Sequence, residues 1–288
     1  MNADESKYET RRLRSLITGM PATDGAGVKL VRVIGQPALP DLDPFLLLDA
    51  FRSDNPDDYI AGFPSHPHRG FETVTYLLEG RMRHKDSAGN EGVIEAGGIQ
   101  WMTAGKGIVH SEMPEQENGR LEGFQLWVNL PAAHKMTEPF YQEHDAGSIP
   151  NETRLGTSIK VITGKTSKGT TGPITQPLTD PLYLDVRLEA NTDFNEVLPV
   201  DHNAFVYVIE GSVTLETEAG ESAIVSRDQL AILSDGDSVS LKSEDAGARF
   251  LLIAGRPIGE SIARGGPFVM NTQAEVKQAF RDYQSGQF

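Results

Sequence analysis

Gly62-Phe-Pro-Ser-His66-Pro-His68-Arg-Gly70-Phe-Glu-Thr-Val-Thr-Tyr76-Leu-Leu-Glu-Gly80 carries two signals from which the rest of the chain can be read. Its second half contains Thr73–Leu78, an apolar run of strand length closed by a Glu-Gly turn. Runs of the same kind recur at 27–34, 123–130, 158–164, 182–188, 204–210, 229–233 and 248–254. Each is rich in β-branched or aromatic residues and bounded by Gly, Asp, Asn or Pro. Many short strands at such spacing predict an all-β sandwich or barrel. The same stretch is also echoed. Tyr76-Leu-Leu-Glu-Gly80 returns 131 positions later as Tyr207-Val-Ile-Glu-Gly211, and Ala88-Gly89 returns at the same offset as Ala219-Gly220. That period is far longer than a solenoid repeat, so it indicates a duplicated domain. The expected boundary follows Leu130-Pro131, giving domains 1–137 and 138–288.

The first half of the stretch holds the chemistry. In an extended segment residues i and i+2 share a face, so His66 and His68 can direct two imidazoles at one ion. Farther on, His110 and Glu112 form a second i, i+2 pair after the Gly105-Lys106-Gly107 turn. Two such strands facing each other would supply three nitrogens and one oxygen. Those donors suit iron, manganese, nickel, copper or zinc, and in an octahedral ion they leave positions open. The repeat offset carries the four positions onto Val197, Pro199, Leu241 and Ser243, none of which binds metal, so the second domain is expected to be metal-free.

Composition narrows the alternatives. The chain has no cysteine, which removes thiolate sites, iron–sulfur clusters and disulfides. A formal charge of −15 disfavours phosphate-driven contact with nucleic acid or acidic membranes, and no basic run exceeds Arg11–Arg14. No apolar stretch approaches a membrane span, and the charged start Met1–Arg12 shows no leader pattern, so a cytoplasmic protein is expected. Thr272 and Glu275 have capping-box spacing ahead of Val276, Ala279, Phe280 and Tyr283, which predicts a terminal helix, with Gly286 as its stop. A shorter helix is expected over 132–138. His84, His134 and His144 lack spacing partners and are expected to face solvent, and His202 to be a surface or hydrogen-bonded residue. Phe51, Phe63, Met102, Phe124 and Trp127 are candidate pocket walls. Strand alternation separates Phe124, Leu126 and Val128 from Gln125, Trp127 and Asn129 without saying which set faces the metal.

Together with the opening stretch, three further motifs resemble the pirin family of bicupins. These are Gln100-Trp-Met-Thr-Ala-Gly105 with Ile108-Val-His110-Ser-Glu112, Leu126-Trp-Val-Asn-Leu-Pro131, and Gly266-Pro-Phe-Val-Met-Asn-Thr272. The matches run from about Pro44 to the C-terminus. The resemblance implies two jelly-roll-like cupin barrels in tandem, with one divalent ion, Fe(II) foremost, in the N-terminal barrel only. Its ligands fall on His66, His68, His110 and Glu112. The general cupin pattern instead offers Glu72, four residues after His68; the resemblance to pirins assigns the carboxylate to Glu112 and leaves Glu72 free to hold an imidazole N–H. The implied activity is oxygen-dependent cleavage of quercetin or a related flavonol, with Glu112 taking the substrate proton. The alternative is an iron-containing, redox-sensitive regulator that binds a transcription factor or a metabolic enzyme. A monomer is expected, because a bicupin already contains two barrels in one chain.

Overall fold

The computed structural model describes residues 8–288; Met1–Lys7, part of the segment read for a leader, lies outside the described residues. The chain forms two compact units that are interleaved along the sequence. One comprises the described residues up to Gly19 with Ile149–Pro257, the other Met20–Ser148 with Ile258–Phe288. This division differs from a single cut at 137/138, and the reason lies in the pairing of the chain ends. Strand Leu13–Thr18 hydrogen-bonds to Gln229–Leu233, which places the chain start in the later unit. The terminal hairpin Ala263–Gly265/Phe268–Met270 lies against Arg69, with an Arg69–Phe268 bridge and a Val269 N–H donated to the Arg69 carbonyl.

The unit containing the His66 stretch is built from two antiparallel sheets. The larger orders Phe140–His144, Ile99–Thr103, Phe71–Glu79, Leu121–Asn129, Phe45–Ser53, Val28–Ile34 and Met20–Asp24. The smaller orders Phe63–His68, Ile108–Pro114, Arg81–Asp86 and Glu91–Glu95. Val28, Leu30, Phe51 and Leu77 of the larger sheet pack with Met82 and Ile94 of the smaller. Arg81–Asp86 alternates in burial, as a strand with one covered face does, whereas Phe71–Glu79 and Ile99–Thr103 are buried nearly throughout.

In the other unit a ten-stranded sheet surrounds one apolar cluster. Its two longest strands, Asn203–Glu216 and Ser238–Gly255, pair with register shifts at Val208/Glu210 and Gly211/Val213, where the ladder is interrupted. Leu241, at the position that echoes His110, sits in this cluster with Phe194 and Leu198. The repeated turn glycines keep the same left-handed backbone in both units, φ 92° at Gly80 and 68° at Gly211, and 93° at Gly89 and 82° at Gly220.

The terminal helix spans Gln273–Gln284 and has the expected capping box, Thr272 with Glu275. Val276 and Ala279 are buried, while Phe280 and Tyr283 pack around the Phe268 ring at 4.8 and 6.3 Å. The helix expected over 132–138 is reduced to one 3-10 turn, Ala132–His134, with no side-chain cap. Pro131, at the Ncap, has no side-chain acceptor, and a helix that short lacks the hydrogen bonds to offset nucleation. No helix among the described residues is long and apolar enough to cross a membrane.

Candidate metal centre

Three strands of the smaller sheet set out the site. Register places His66 opposite His110, and His110 opposite Asp86 on the next strand. His68 stands two residues beyond His66 on the same face. The three imidazoles converge, with ring centroids 4.5 to 5.0 Å apart and donor atoms all within 4.8 Å of one another. Among the described residues this is the one group of three such donors that could hold a metal. His68 and His110 are almost wholly buried. Desolvation, reinforced by the neighbouring imidazoles, holds both pKa values well below the ordinary histidine value, so each ring is neutral and has a lone pair to give.

Local contacts fix which nitrogen points inward. His66 Nδ1 lies 2.8 Å from the Pro64 carbonyl oxygen, so Nδ1–H donates there and Nε2 carries the lone pair. His66 Nε2 and His68 Nε2 are 3.0 Å apart. Two donors at right angles on one ion, with bonds of about 2.1 Å, would be roughly 3 Å apart. Both ring nitrogens of His110 are buried without a hydrogen-bond partner, a costly state that a bound ion relieves. The side chains present therefore fit a divalent ion.

Glu112 is buried on the same strand as His110 but is not one of the three converging donors. Its carboxylate accepts from Thr75 Oγ1 at 2.7 Å and from Gln125 Nε2 at 3.4 Å. Glu72 has a different environment. It accepts from Thr103 Oγ1 at 2.6 Å, and alternation along Phe71–Glu79 puts it on the opposite face from Thr75.

A cavity of about 610 Å³ opens beside the histidines, lined by His66, His68 and Glu112 among others. Phe51, Phe63 and Trp127 form aromatic walls as expected; Met102 and Phe124 do not line it. Met102 packs instead with Ala104 and Ile108. Gln125 and Trp127 are the face of their strand that meets the cavity. The Trp127 indole meets His68 edge-on at 5.3 Å and lies 4.3 Å from the Phe71 ring.

The expectation for His84 is overturned. It is buried, and its Nε2 lies 2.8 Å from Glu143, whose pKa is lowered first by that contact. The strand Arg81–Asp86 alternates, with Met82, His84 and Asp86 inward and Arg81, Arg83 and Lys85 outward. That alternation is visible in the sequence and was the signal to use. His134 is exposed and His144 half-buried, while His202 is buried with Nε2 2.9 Å from the Asp180 carbonyl. Beside the site, Asp86 holds its pKa below the ordinary value despite burial, through hydrogen bonds donated by Asn90 and by the Ala88 N–H. Burial and Asp86 together raise the Tyr141 phenol.

Two cupin domains, one with three convergent imidazoles at an aromatic cavity, define a bicupin with a candidate metal centre. Comparison with known proteins makes the class specific. The Pirin family model matches residues 27–128 and the Pirin C-terminal cupin domain matches 183–288, so the chain belongs to the pirin family. A pirin-like protein of Caulobacter vibrioides is 53% identical over 279 residues, covering 96% of this chain and 99% of the relative. Human pirin is 42% identical over 265 residues, covering 91% and 89%. The crystal structure of a quercetin 2,3-dioxygenase from Acinetobacter baumannii superposes with a TM-score of 0.88 at 33% identity, covering 97% of this chain and 99% of that one.

Proposed function

We propose that the protein is a metal-dependent dioxygenase that cleaves quercetin or a related flavonol, using one ion held by His66, His68, His110 and Glu112. The observation that carries this reading is the meeting of three imidazoles beside a cavity walled by Phe51, Phe63 and Trp127. The likeness to the Acinetobacter baumannii quercetin 2,3-dioxygenase supports the substrate class. A divalent ion held there, Fe(II) foremost, would supply Lewis acidity toward a flavonol hydroxyl and redox chemistry toward oxygen. The protein's own groups do the rest. The aromatic wall of Phe51, Phe63 and Trp127 holds the flat substrate and excludes water. The Glu112 carboxylate accepts the hydroxyl proton, oriented by Thr75 Oγ1 and Gln125 Nε2.

The test is oxygen uptake by metal-free protein reloaded anaerobically with Fe(II) and supplied with quercetin, with His110→Ala as control. Uptake matched by quercetin loss in the wild type alone is the expected result. His110→Ala should also lose at least about 100-fold in metal affinity, the upper end of what removing even an outer hydrogen-bond partner costs. If wild-type protein retains the ion yet consumes no oxygen above free iron, the iron-dependent activity fails. The assay is then repeated with the other divalent metals, and the regulatory reading moves first.

A further inference from the structure

One cationic side chain lines the cavity, and the reaction above leaves it unused. Arg264, exposed on the terminal hairpin, lays its guanidinium over the Trp127 indole at 4.7 Å from the ring centroid. The same indole lies 4.3 Å from the Phe71 ring and meets His68 edge-on at 5.3 Å, so the residue that carries the guanidinium also contacts a metal-binding imidazole. The acidic side chains of the wall are already engaged. Arg32 takes both oxygens of Asp49, at 2.9 and 2.7 Å, and one of Asp24 at 2.7 Å. Among the described residues Arg264 has no carboxylate within 4.0 Å, and its hydrogen bond to the Leu46 carbonyl is long, at 3.5 Å. Two guanidinium groups balance two carboxylates here, and a divalent ion exceeds the charge of Glu112. With a divalent ion bound, these groups together would carry one positive charge in excess.

We propose that Arg264 is a specificity residue, selecting planar aromatic ligands that carry an anionic oxygen, phenolate or carboxylate, at the end remote from the oxygen that meets the metal. The ligand lies between the aromatic walls of the cavity, and the guanidinium fork takes the distal oxygen with charge-assisted hydrogen bonds. Lysine at this position would keep the charge but lose both the fork and the stack. The inference rests on reading the cavity as the substrate pocket of the histidine group.

Calorimetric titration of the metal-loaded, full-length protein with two probes tests it. 6-Hydroxy-2-naphthoate presents a hydroxyl to the ion and a carboxylate to Arg264; 6-(hydroxymethyl)-2-naphthol is its uncharged counterpart. Wild-type protein is expected to prefer the carboxylate by about tenfold, the worth of one charge-assisted hydrogen bond. Arg264→Gln should reduce that preference to within about twofold, with Arg264→Lys intermediate, at unchanged metal content. Retention of the full preference by Arg264→Gln, an equal loss for both probes, or no preference in the wild type each overturns the assignment. Failure of quercetin oxidation alone would leave this binding comparison intact, so the two readings fall separately.

Discussion

Lys135 shows how much of the site's support comes from residues with no motif around them. It is 1% exposed, yet its ammonium donates to the Gly70 carbonyl at 2.7 Å, Asn129 Oδ1 at 2.6 Å and the Val269 carbonyl at 3.0 Å. One side chain thereby ties the loop after His68 to the end of the Trp127 strand and to the terminal hairpin. Lys135→Met leaves three buried acceptors without their donor and should cost roughly 2–4 kcal/mol in urea denaturation. Burial also pushes the Lys135 pKa down to about 8 from 10.5, with Glu260 and Glu275 opposing. Between those values the unfolded chain holds a proton that the folded chain has released. Wild-type stability relative to Lys135→Met should therefore rise as pH climbs above about 8, and a flat difference would mean the ammonium stays charged. At this scale the sequence was legible where spacing encodes geometry: the two i, i+2 pairs placed His66, His68 and His110 correctly on their strands. Arg264, Asp49 and Lys135 were not legible, because each reaches the site from a distant segment whose approach only the tertiary fold decides.

Local pattern was read more completely at the level of the strand and the turn. The runs at 182–188 and 229–233 coincide with strands Leu182–Leu188 and Gln229–Leu233, because strands buried nearly throughout leave short apolar runs between turn residues. The register shift between His110 and Glu112 was not readable, since a bulge changes pairing without changing composition. It bears on the site: the pairing that sets His110 opposite His66 then sets Glu112 opposite Phe63. Gly70, between the His68 strand and the next, has φ 88°, and a Cβ there would collide with the Val269 carbonyl oxygen. Gly70→Ala must therefore move either the His68 strand end or the hairpin. The expected outcome is a loss of about 1–3 kcal/mol in thermal denaturation accompanied by weaker metal retention. Unchanged metal content at lowered stability would show that His68 does not depend on this turn.

Across the whole chain, the echo at one offset revealed the duplication but not the exchange of ends. Self-similarity reports which segments share ancestry, whereas packing decides which unit they complete. A chain of residues 1–137 illustrates the difference. It keeps all four proposed ligands but lacks the hairpin and helix of 258–288. Without them Phe71 and Leu46 lose Val269, their partner in one apolar cluster, and the cavity loses Arg264, Gly266 and Pro267. Expressed alone, this fragment should fail to give a cooperative unfolding transition or to retain metal, as circular dichroism and elemental analysis would show. A folded, metal-loaded fragment would mean that the expected boundary is a true one.

The interleaving also sets an order of events during synthesis. Strand Leu13–Thr18 leaves the ribosome early, yet its partner Gln229–Leu233 follows some 200 residues later, a delay of about 10–40 s at ordinary elongation rates. The histidines emerge before the hairpin that walls their cavity. Neither unit can close until its later segment has been made, so ions captured earlier would meet an open, solvent-exposed set of ligands.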